Sequence, residues 1–450
     1  MIINDSKTPS GKVHIGSLRG PIIHDQIRRE HPNSEFLFGV DDMDAMDAMD
    51  VKGHPGFGLP LCNVIQEGRP ISEVYMDDMW NTFDMLGMVY TPYRMSEIYR
   101  SGRLNDAIHD ILVNSDKINE VYRSFGQIKE NWIPFNPICS NCGVITTRGH
   151  SYVNGLVNYS CGCGNVASVS PFNGNGKLPW KLEWAAKWRI FGITLEGAGK
   201  DHCTKGGSRD VADACYRAIW ELEPPERFNY EFFLINGQKM SSSRGIGASL
   251  TSITDILPPE LLKTLMLSRA YNQPVNFVTS MRGVVDLYSV YDKNSSNYRL
   301  LFTTILNMLQ LPQPVDFYTE AASRKGSELT DEERTELTTR IACAQKVLAS
   351  VALPEEKIVI QENVPSIELS PEQRSYLSLV ITYLNTASCS SEVLQQGLYD
   401  LGKNAGFKPA EFFAAIYLTI LGRNSGGRAG ELIAGIDRQW LIERFTVFTK

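Results

Sequence analysis

The first sixty residues alternate between strand-like and helix-like patterns of hydrophobic positions. An apolar run opens the chain, a glycine-containing turn follows, and Ile22, Ile23 and Ile27 then recur at helical spacing. The stretch EFLFGV has the unbroken apolar character of a strand buried on both faces. Pro21 removes a backbone donor, so we expect the helix to begin near it or to kink there. This order predicts a β-α-β opening, and such sheets bind ligands at the carboxyl ends of their strands.

The pattern changes character twice further along the chain. Residues 72–125 have helical periodicity, whereas residues 132–176 are rich in Cys, Gly, Asn and Ser with short β-like runs, which indicates a small inserted module. Strand and helix patterns then return, and from about residue 258 amphipathic helices are separated by loops containing Pro, Gly or Asn. We therefore predict an α/β domain in two halves, an insertion and an all-α domain, with the boundaries 1–95, 96–190, 191–257 and 258–450.

Composition narrows the function classes. The chain has 450 residues, 43% of them hydrophobic, and a net charge of −7. Proteins that bind bulk polyanions are usually basic, so any nucleic-acid binding must use local patches. No apolar run approaches the length of a membrane span and the start, MIINDSKTPS, has no apolar segment, so we expect a cytoplasmic protein without a membrane partner. Nine cysteines, an odd number, argue against a disulfide framework.

The stretch KTPSGKVHIGSLRG, residues 7–20, has the chemistry of an anion site. A strand followed by small residues and a helix N-terminus leaves backbone N–H groups free to bind an anion. Gly11 and Gly16 allow a ligand to approach the backbone, Thr8 and Ser10 offer hydroxyls, and His14 can donate to phosphate oxygens. Taken alone, the stretch also fits an ordinary turn between a strand and a helix.

A second stretch, NGQKMSSSRG, spans residues 236–245 and places Lys239 directly before a run of serines. An ammonium beside hydroxyls on a loop suits a triphosphate, since it can follow the charge that develops as pyrophosphate departs. The alternative is a Ser-rich linker.

Four of the cysteines form a cluster in the sequence. Cys139 and Cys142 form a C-x-x-C pair, Cys161 and Cys163 form a C-x-C pair, and 18 residues separate the two pairs. This spacing predicts a four-thiolate zinc ribbon, and such a zinc is structural because its four thiolates leave no position for substrate. The alternative is a reduced site without metal.

Together these stretches resemble a known family. H-I-G-S and K-M-S-S-S are similar to the signatures H-I-G-H and K-M-S-K-S of class I aminoacyl-tRNA synthetases, with Ser17 and Ser242 in place of a His and a Lys. TPSGKVHIGS, GKLPWKLEWAAKW, GKDHCTKGGSRD and KMSSSRG resemble the class I lysyl-tRNA synthetases in particular, and the resemblance covers nearly the whole chain. It implies a Rossmann-like catalytic domain, a zinc-ribbon insertion and an all-helical anticodon-binding domain.

The resemblance also implies an activity, which is ATP-dependent ligation of lysine to tRNA(Lys) through a lysyl-adenylate. ATP would arrive with Mg²⁺, zinc would be structural, lysine and tRNA(Lys) would be the partners, and no obligatory protein partner is expected. His14 and Lys239 would be catalytic. The residues expected to bind ATP are Thr8, Ser10, Gly11, His14, Gly16, Lys239, Ser241 and Ser242.

The amino-acid pocket is predicted in less detail than the ATP site. The residues expected there are Asp41, Trp180, Trp184, Asp201 and His202. The two tryptophans, four residues apart, share a face if the segment is a helix and would line the stem of a lysine side chain, with core packing as the alternative. Asp201 would pair with an ammonium or a ribose, or else cap a helix. The aspartates that follow EFLFGV would bind an ammonium or Mg²⁺, or be solvated, and rank below Asp201.

Two other functions remain open at this stage. One is a related synthetase, such as a glutamyl or glutaminyl enzyme, and the other is a paralogue that binds amino acid or tRNA without catalysis. Intact His14 and Lys239 speak against the second.

Overall fold

The computed structural model describes residues 1–47, 52–127, 132–240, 249–292, 300–387 and 390–450. The chain divides into two compact units. The first comprises Met1–Thr254 with Leu262–Phe277, and the second comprises Asp255–Leu261 with Val278–Lys450.

The strands of the described residues are β1 (Ile2–Lys7), β2 (Glu35–Val40), β3 (Ile65–Gln66), β4 (Arg69–Pro70), β5 (Thr91–Arg94), β6 (Asn136–Pro137), β7 (Arg148–Val153), β8 (Leu156–Ser160), β9 (Val166–Val169), β10 (Gly176–Lys177), β11 (Leu195–Gly199), β12 (Glu226–Tyr230), β13 (Phe233–Ile235), β14 (Gln238–Lys239) and β15 (Val275–Phe277).

The α-helices are α1 (Arg19–Glu30), α2 (Ile71–Met85), α3 (Met95–Arg100), α4 (Asn105–Val113), α5 (Ser115–Ser124), α6 (Trp180–Phe191), α7 (Ser208–Trp220), α8 (Leu250–Thr254), α9 (Pro259–Met266), α10 (Met281–Asp292), α11 (Phe302–Met308), α12 (Phe317–Lys325), α13 (Asp331–Ser350), α14 (Pro371–Leu384), α15 (Ser391–Asn404), α16 (Pro409–Leu421), α17 (Ala429–Ala434) and α18 (Arg438–Thr449). Short 3₁₀ turns occur at Ile15–Leu18, Leu61–Asn63 and Pro354–Glu356.

A five-stranded parallel sheet forms the centre of the first unit, with the order β12-β11-β1-β2-β5. The pairing of β1 with β2 runs in register from Ile2 opposite Glu35 to Lys7 opposite Val40. The middle strand therefore delivers the segment after Lys7 to the ligand-binding edge of the sheet. This confirms the predicted α/β fold with a parallel sheet.

Helix α1 follows the loop after β1 and resolves the conflict at Pro21. A 3₁₀ turn at Ile15–Leu18 leads directly into α1, and Pro21 is its third residue. The first four N–H groups of a helix have no partner within it, so proline costs no hydrogen bond there. The expectation that the helix begins near Pro21 is confirmed.

The cysteine-rich segment folds as a small β module, inserted in the sequence between strands β5 and β11 of the parallel sheet. Strands β7, β8 and β9 form an antiparallel sheet, and β6 pairs antiparallel with β10. Further on, the stretch FNYEFFLI is not one strand, as predicted, but two. Strand β12 joins the parallel sheet, whereas β13 pairs with β14 and β15 in a separate sheet.

The second unit is helical in its described residues, and helices α14 to α18 enclose one apolar core. Tyr376, Leu377, Ile416 and Phe445 lie at its centre, each fully buried. Strand β15 falls inside the range predicted as all-α but belongs to the first unit. The predicted domain boundaries otherwise stay predictions. Among the helices that the structure describes, none combines the length and apolar character needed to cross a membrane.

Candidate active site

The loop between β1 and α1 holds His14 against the end of the distant β14 hairpin. Val13 and Ile15 are buried on either side of His14 and fix its backbone, which is extended. A Cβ on Gly16 would lie 2.9 Å from Cε of Met240 and 3.1 Å from Nδ1 of His14. Only glycine therefore fits at position 16 without displacing its neighbours.

The described part of the second predicted stretch lies on the hairpin formed by β13 and β14. Asn236 and Gly237 have φ angles of 50° and 77°, the left-handed conformation that a tight hairpin turn needs. Nζ of Lys239 lies 3.1 Å from Oδ2 of Asp201 and 3.8 Å from the ring centre of Phe232. The next residues of the motif, Ser241 and Ser242 included, lie outside the described residues.

The two motif segments, far apart in sequence, thus meet in the first unit. The side chain of Met240, which follows Lys239, packs against Gly16, and His14 forms an isolated antiparallel bridge with Ser249. Their meeting brings an imidazole and an ammonium to neighbouring positions. The catalytic roles assigned to His14 and Lys239 remain predictions.

The environment of His14 keeps its imidazole neutral. Burial of the ring lowers the pKa of His14 to about 4, and the positive charges of Lys7 and Lys239 add to the effect. Nδ1 is buried and has no hydrogen-bond partner. An unpaired buried polar atom calls for a ligand or a water as its partner.

We predict that the lowered pKa of His14 makes the fold lose stability as the pH falls from about 6.5 to 4, because only the unfolded chain binds the proton in that range. The thermal midpoint of the protein should therefore drop further between pH 7 and pH 5 than that of His14→Gln, which lacks the group. A histidine ring resonance that titrates near pH 4 and disappears in the variant would confirm the assignment. Titration of that resonance near pH 6.5 would contradict it.

A cavity of about 710 Å³ opens at the carboxyl ends of β1, β2 and β11. The predicted site residues that line it are Thr8, Ser10, Asp41, Trp180, Trp184 and His202. Gly16 lines a smaller cavity of about 170 Å³, which shares Lys7 and Tyr230 with the large one. His14, Lys239, Gly11 and Asp201 are not among the described residues that line either cavity.

Aromatic rings form one wall of the large cavity. Trp180 begins α6, and its ring stacks on Trp184 at 6.0 Å and 26°. His202 lies edge-on to Trp180 at 5.5 Å. Trp180 is 43% exposed, whereas Trp184 is 8% exposed and also packs in a hydrophobic cluster with Trp188. Trp184 therefore serves both as core and as cavity wall.

The aspartates after β2 each have hydrogen-bond partners in the protein. Asp41 accepts hydrogen bonds from Nζ of Lys187 and Oγ of Ser6, both at 3.0 Å. Asp42 is buried away from the cavity and accepts from the backbone N and the hydroxyl of Ser96, at 2.7 and 2.5 Å. Asp42 thus fixes the start of α3, which makes its role structural.

Asp44 joins a network of charged residues that line the large cavity. It pairs with Lys177 and accepts a 2.7 Å hydrogen bond from the hydroxyl of Thr8. Lys177 also lies 3.4 Å from Glu183, which accepts a 2.6 Å bond from the hydroxyl of Tyr99. Burial opposes the ionisation of Asp44, but the charge of Lys177 together with the hydrogen bonds from Lys177 and Thr8 lowers the pKa of Asp44. Thr8, expected to bind ATP, is therefore engaged with an aspartate here.

Asp201 lies outside the large cavity and faces Lys239 instead. Burial alone would raise the pKa of Asp201, but the electrostatic effects of His202 and Lys239 together with the hydrogen bond from Lys239 lower it. Its carboxylate is half-exposed. The structure therefore brings Asp201 to the second motif, whereas His202 lies with the tryptophans.

Sequence reasoning missed three buried charged residues of the cavity, Lys177, Glu183 and Lys187. Each is at most 7% exposed. Glu183 and Lys187 are four residues apart on α6, a spacing typical of an exposed ion pair. A usable signal lay in their spacing, because Trp180, Trp184 and Lys187 share one face of the helix, the face predicted to line the pocket.

The four clustered cysteines have the geometry of a tetrahedral metal site. Their Sγ atoms all lie within 4.8 Å of one another. Cys139 and Cys163 are 3.7 Å apart, and Cys142 and Cys161 are 3.6 Å apart. A tetrahedron with zinc–sulfur bonds of 2.3 Å has edges of about 3.8 Å, so the four sulfurs fit zinc.

The surroundings of the cysteines also suit thiolates. Nδ2 of Asn165 donates to Sγ of Cys139 at 3.4 Å, and Nδ2 of Asn141 donates to Sγ of Cys163 at 3.6 Å. Such outer hydrogen bonds orient metal ligands and stabilise their charge. Since the same module supplies Asn136, Ile145 and Thr146 to the large cavity, its folding supports the wall of the cavity.

Comparisons with known proteins identify the family of the chain. The model of the family described as tRNA synthetases class I (K) matches residues 1–310. A lysine–tRNA ligase of Methanosarcina barkeri strain Fusaro is 30% identical over 97% of this chain and 93% of its own length. A lysine–tRNA ligase of Archaeoglobus fulgidus is 28% identical over 97% and 94%.

Among solved structures, a glutamate–tRNA ligase of Elizabethkingia meningosepticum superposes with a TM-score of 0.49 at 14% identity and covers 100% of this chain and 99% of that chain. The family match spans more than half of the sequence, and K denotes lysine in the one-letter code. The chain belongs to the class I tRNA synthetase family for lysine.

Proposed function

We propose that the protein joins lysine to tRNA(Lys) in two steps, with ATP as the second substrate. The observation that carries this proposal is the meeting of the His14 loop with the Lys239 hairpin beside a cavity rich in carboxyl groups. In the first step an oxygen of the lysine carboxylate attacks the α-phosphorus of ATP. The bond from that phosphorus to the bridging oxygen breaks, and pyrophosphate leaves.

The residues around the loop would act by position and charge. The neutral imidazole of His14 would donate a hydrogen bond to a phosphate oxygen, and the glycines at 11 and 16 would let the nucleotide approach the backbone. Lys239 would leave Asp201 and stabilise the departing pyrophosphate. Mg²⁺, which neutralises part of the phosphate charge, would be held mostly by the phosphates and water.

The charges of the large cavity favour a cationic side chain. Among the described residues that line it, the carboxyl groups are those of Asp5, Asp41, Asp44, Asp47, Glu183 and Glu196, and the ammonium groups are those of Lys7, Lys177 and Lys187. This surplus of carboxyl groups would attract the ε-ammonium of lysine and repel the carboxylate of glutamate. The tryptophan wall would hold the apolar stem.

In the second step, a hydroxyl of the terminal adenosine of tRNA would attack the carbonyl carbon of lysyl-adenylate, and AMP would leave. The helical unit would bind the anticodon, where single-stranded bases are recognised by stacking and by hydrogen bonds to their edges. Zinc bound by the four cysteines would cross-link the inserted module and take no part in the chemistry.

We predict that Trp180→Ala raises the KM for lysine by about tenfold, because it removes the exposed ring of the cavity wall. The KM for ATP should change little, since the ring lies on the side of α6 rather than beside the His14 loop. Steady-state exchange kinetics with each substrate varied would check the split. An increase in the KM for ATP alone would contradict the placement of lysine against Trp180.

Exchange of pyrophosphate with ATP, measured with each of the twenty amino acids in turn, tests the proposed function. Exchange that depends on lysine supports it. Exchange with glutamate or glutamine would instead indicate a related synthetase. Absence of exchange with every amino acid, combined with retained tRNA binding, would indicate a paralogue without catalysis.

A further inference from the structure

Lys7 ends the middle strand of the parallel sheet, immediately before the His14 loop. Its backbone oxygen accepts a 3.0 Å hydrogen bond from the backbone N of Asp41, which fixes its position at the ligand-binding edge. Its side chain is partly buried and lines both the large and the small cavity. Gly16 and Ser17, in the first turn after His14, line the small cavity as well.

The ammonium of Lys7 forms no ion pair with a described carboxylate. Within the described part of the chain, no carboxylate oxygen lies within 4.0 Å of its Nζ, and it makes no hydrogen bond. The other lysines of the large cavity differ, because Lys177 pairs with Asp44 and Lys187 pairs with Asp41. Burial lowers the pKa of Lys7, and the charge of Asp5 opposes that effect only in part.

His14 lies close enough to Lys7 for the two side chains to interact electrostatically. Burial of the ring has the largest effect on the pKa of His14, and the positive charge of Lys7 has the second largest. The charge of Lys239 has a smaller effect. Nδ1 of His14 is buried without a partner. The carboxylate of Asp5 borders the same cavities but forms no ion pair with Lys7. A buried ammonium without a paired oxyanion is costly, so this arrangement suits an anionic ligand.

We propose that Lys7 is a further catalytic residue, whose ammonium binds an oxyanion at the centre where lysyl-adenylate forms. This inference rests on the proposed function. The lysine carboxylate and the α-phosphate are both negative, and they must approach closely while further charge develops on the phosphate oxygens. An ammonium between them reduces their repulsion and stabilises the transition state. The oxyanion is either an α-phosphate oxygen or the carboxylate of lysine.

Lys7→Met tests this role, since methionine keeps most of the stem and removes the charge. We expect lysine-dependent exchange to slow by about 10²-fold to 10³-fold. The thermal midpoint should stay the same or rise, because the change removes an unpaired ammonium. Lys7→Arg should recover at least part of the lost rate. A lower thermal midpoint together with a loss of rate that Lys7→Arg does not restore would assign Lys7 a structural role and overturn the proposal.

Lys117→Met is the matched control. Lys117 lies on α5, is exposed and lines neither cavity. Its substitution therefore removes the same charge at a position away from the site. Its exchange rate should stay within about twofold of the wild type, as for most exposed substitutions. A rate for Lys7→Met as close to the wild type as that of Lys117→Met would overturn the proposal.

Binding measured by calorimetry without turnover identifies the oxyanion. Weaker binding of ATP with unchanged binding of adenosine would place the α-phosphate, or a phosphate beside it, on Lys7. Weaker binding of lysine with unchanged binding of lysinol, which lacks the carboxylate, would place the carboxylate there. Unchanged affinity for both ATP and lysine would overturn the proposal. These binding measurements can also be made if the wild-type protein activates no amino acid. That outcome would contradict the proposed function but not the binding of an oxyanion by Lys7.

Discussion

Replacing Lys239 with alanine should lower the rate of lysine-dependent ATP–pyrophosphate exchange by about 10²-fold to 10³-fold. The loss should fall on kcat, because the ammonium acts on charge that appears only as pyrophosphate departs. Among the described residues Lys239 is half-exposed and pairs with Asp201 and the ring of Phe232, so its removal should leave stability nearly unchanged. Exchange kinetics and thermal unfolding, measured on the same preparation, check both parts.

Lys200→Ala provides a local control for this substitution. Lys200 also lies above the ring of Phe232, at 5.2 Å, and pairs with Glu231. The substitution removes an ammonium from the same surroundings, but Lys200 belongs to neither motif. The exchange rate of the variant should therefore stay within about threefold of the wild type, as expected for an exposed ion pair. Equal losses in both variants would show that a general electrostatic effect, rather than the position of Lys239, controls the rate.

Replacing Cys161 and Cys163 together with serine should abolish the binding of one zinc ion per chain. Two thiolates cannot close a tetrahedral site, and structural zinc sites of this kind contribute about 10–16 kcal/mol of apparent binding energy to folding. Because the module lines the large cavity through Asn136, Ile145 and Thr146, its unfolding should also lower the exchange rate at least about tenfold. Elemental analysis and exchange kinetics measure the two effects.

The control for the zinc prediction is Cys343→Ser. Cys343 is buried in α13 of the second unit and is not among the four clustered cysteines. Zinc content should therefore remain at one ion per chain. Full zinc content in the double variant would contradict the predicted site, and full activity after loss of the metal would contradict the link between the module and the cavity.

The sequence predicted the elements of the fold better than their arrangement. The order of strand, glycine-containing turn, helix and strand at the start of the chain was predictable, because each element has its own periodicity. FNYEFFLI was wrongly predicted as one strand. Its apolar residues continue across the break between Tyr230 and Phe233, and periodicity does not tell which sheet a strand joins.

The residues of the candidate site that belong to a sequence motif could be predicted. The buried charged residues of the site were harder to predict. Glycines, His14 and Lys239 lie in contiguous stretches whose chemistry can be inferred locally. By contrast, Lys187 and Asp41 lie on different elements and meet only in the folded chain. The same applies to Asp201, whose partner Lys239 lies on another element. No local pattern reports a partner that the fold supplies from a distance.

A crystal structure with lysine and α,β-methylene-ATP, which cannot release pyrophosphate, tests the central claim most directly. The account predicts the triphosphate between the imidazole of His14 and the ammonium of Lys239, with the lysine side chain in the large cavity against Trp180. A nucleotide bound away from His14 and Lys239, or lysine bound outside that cavity, would contradict it.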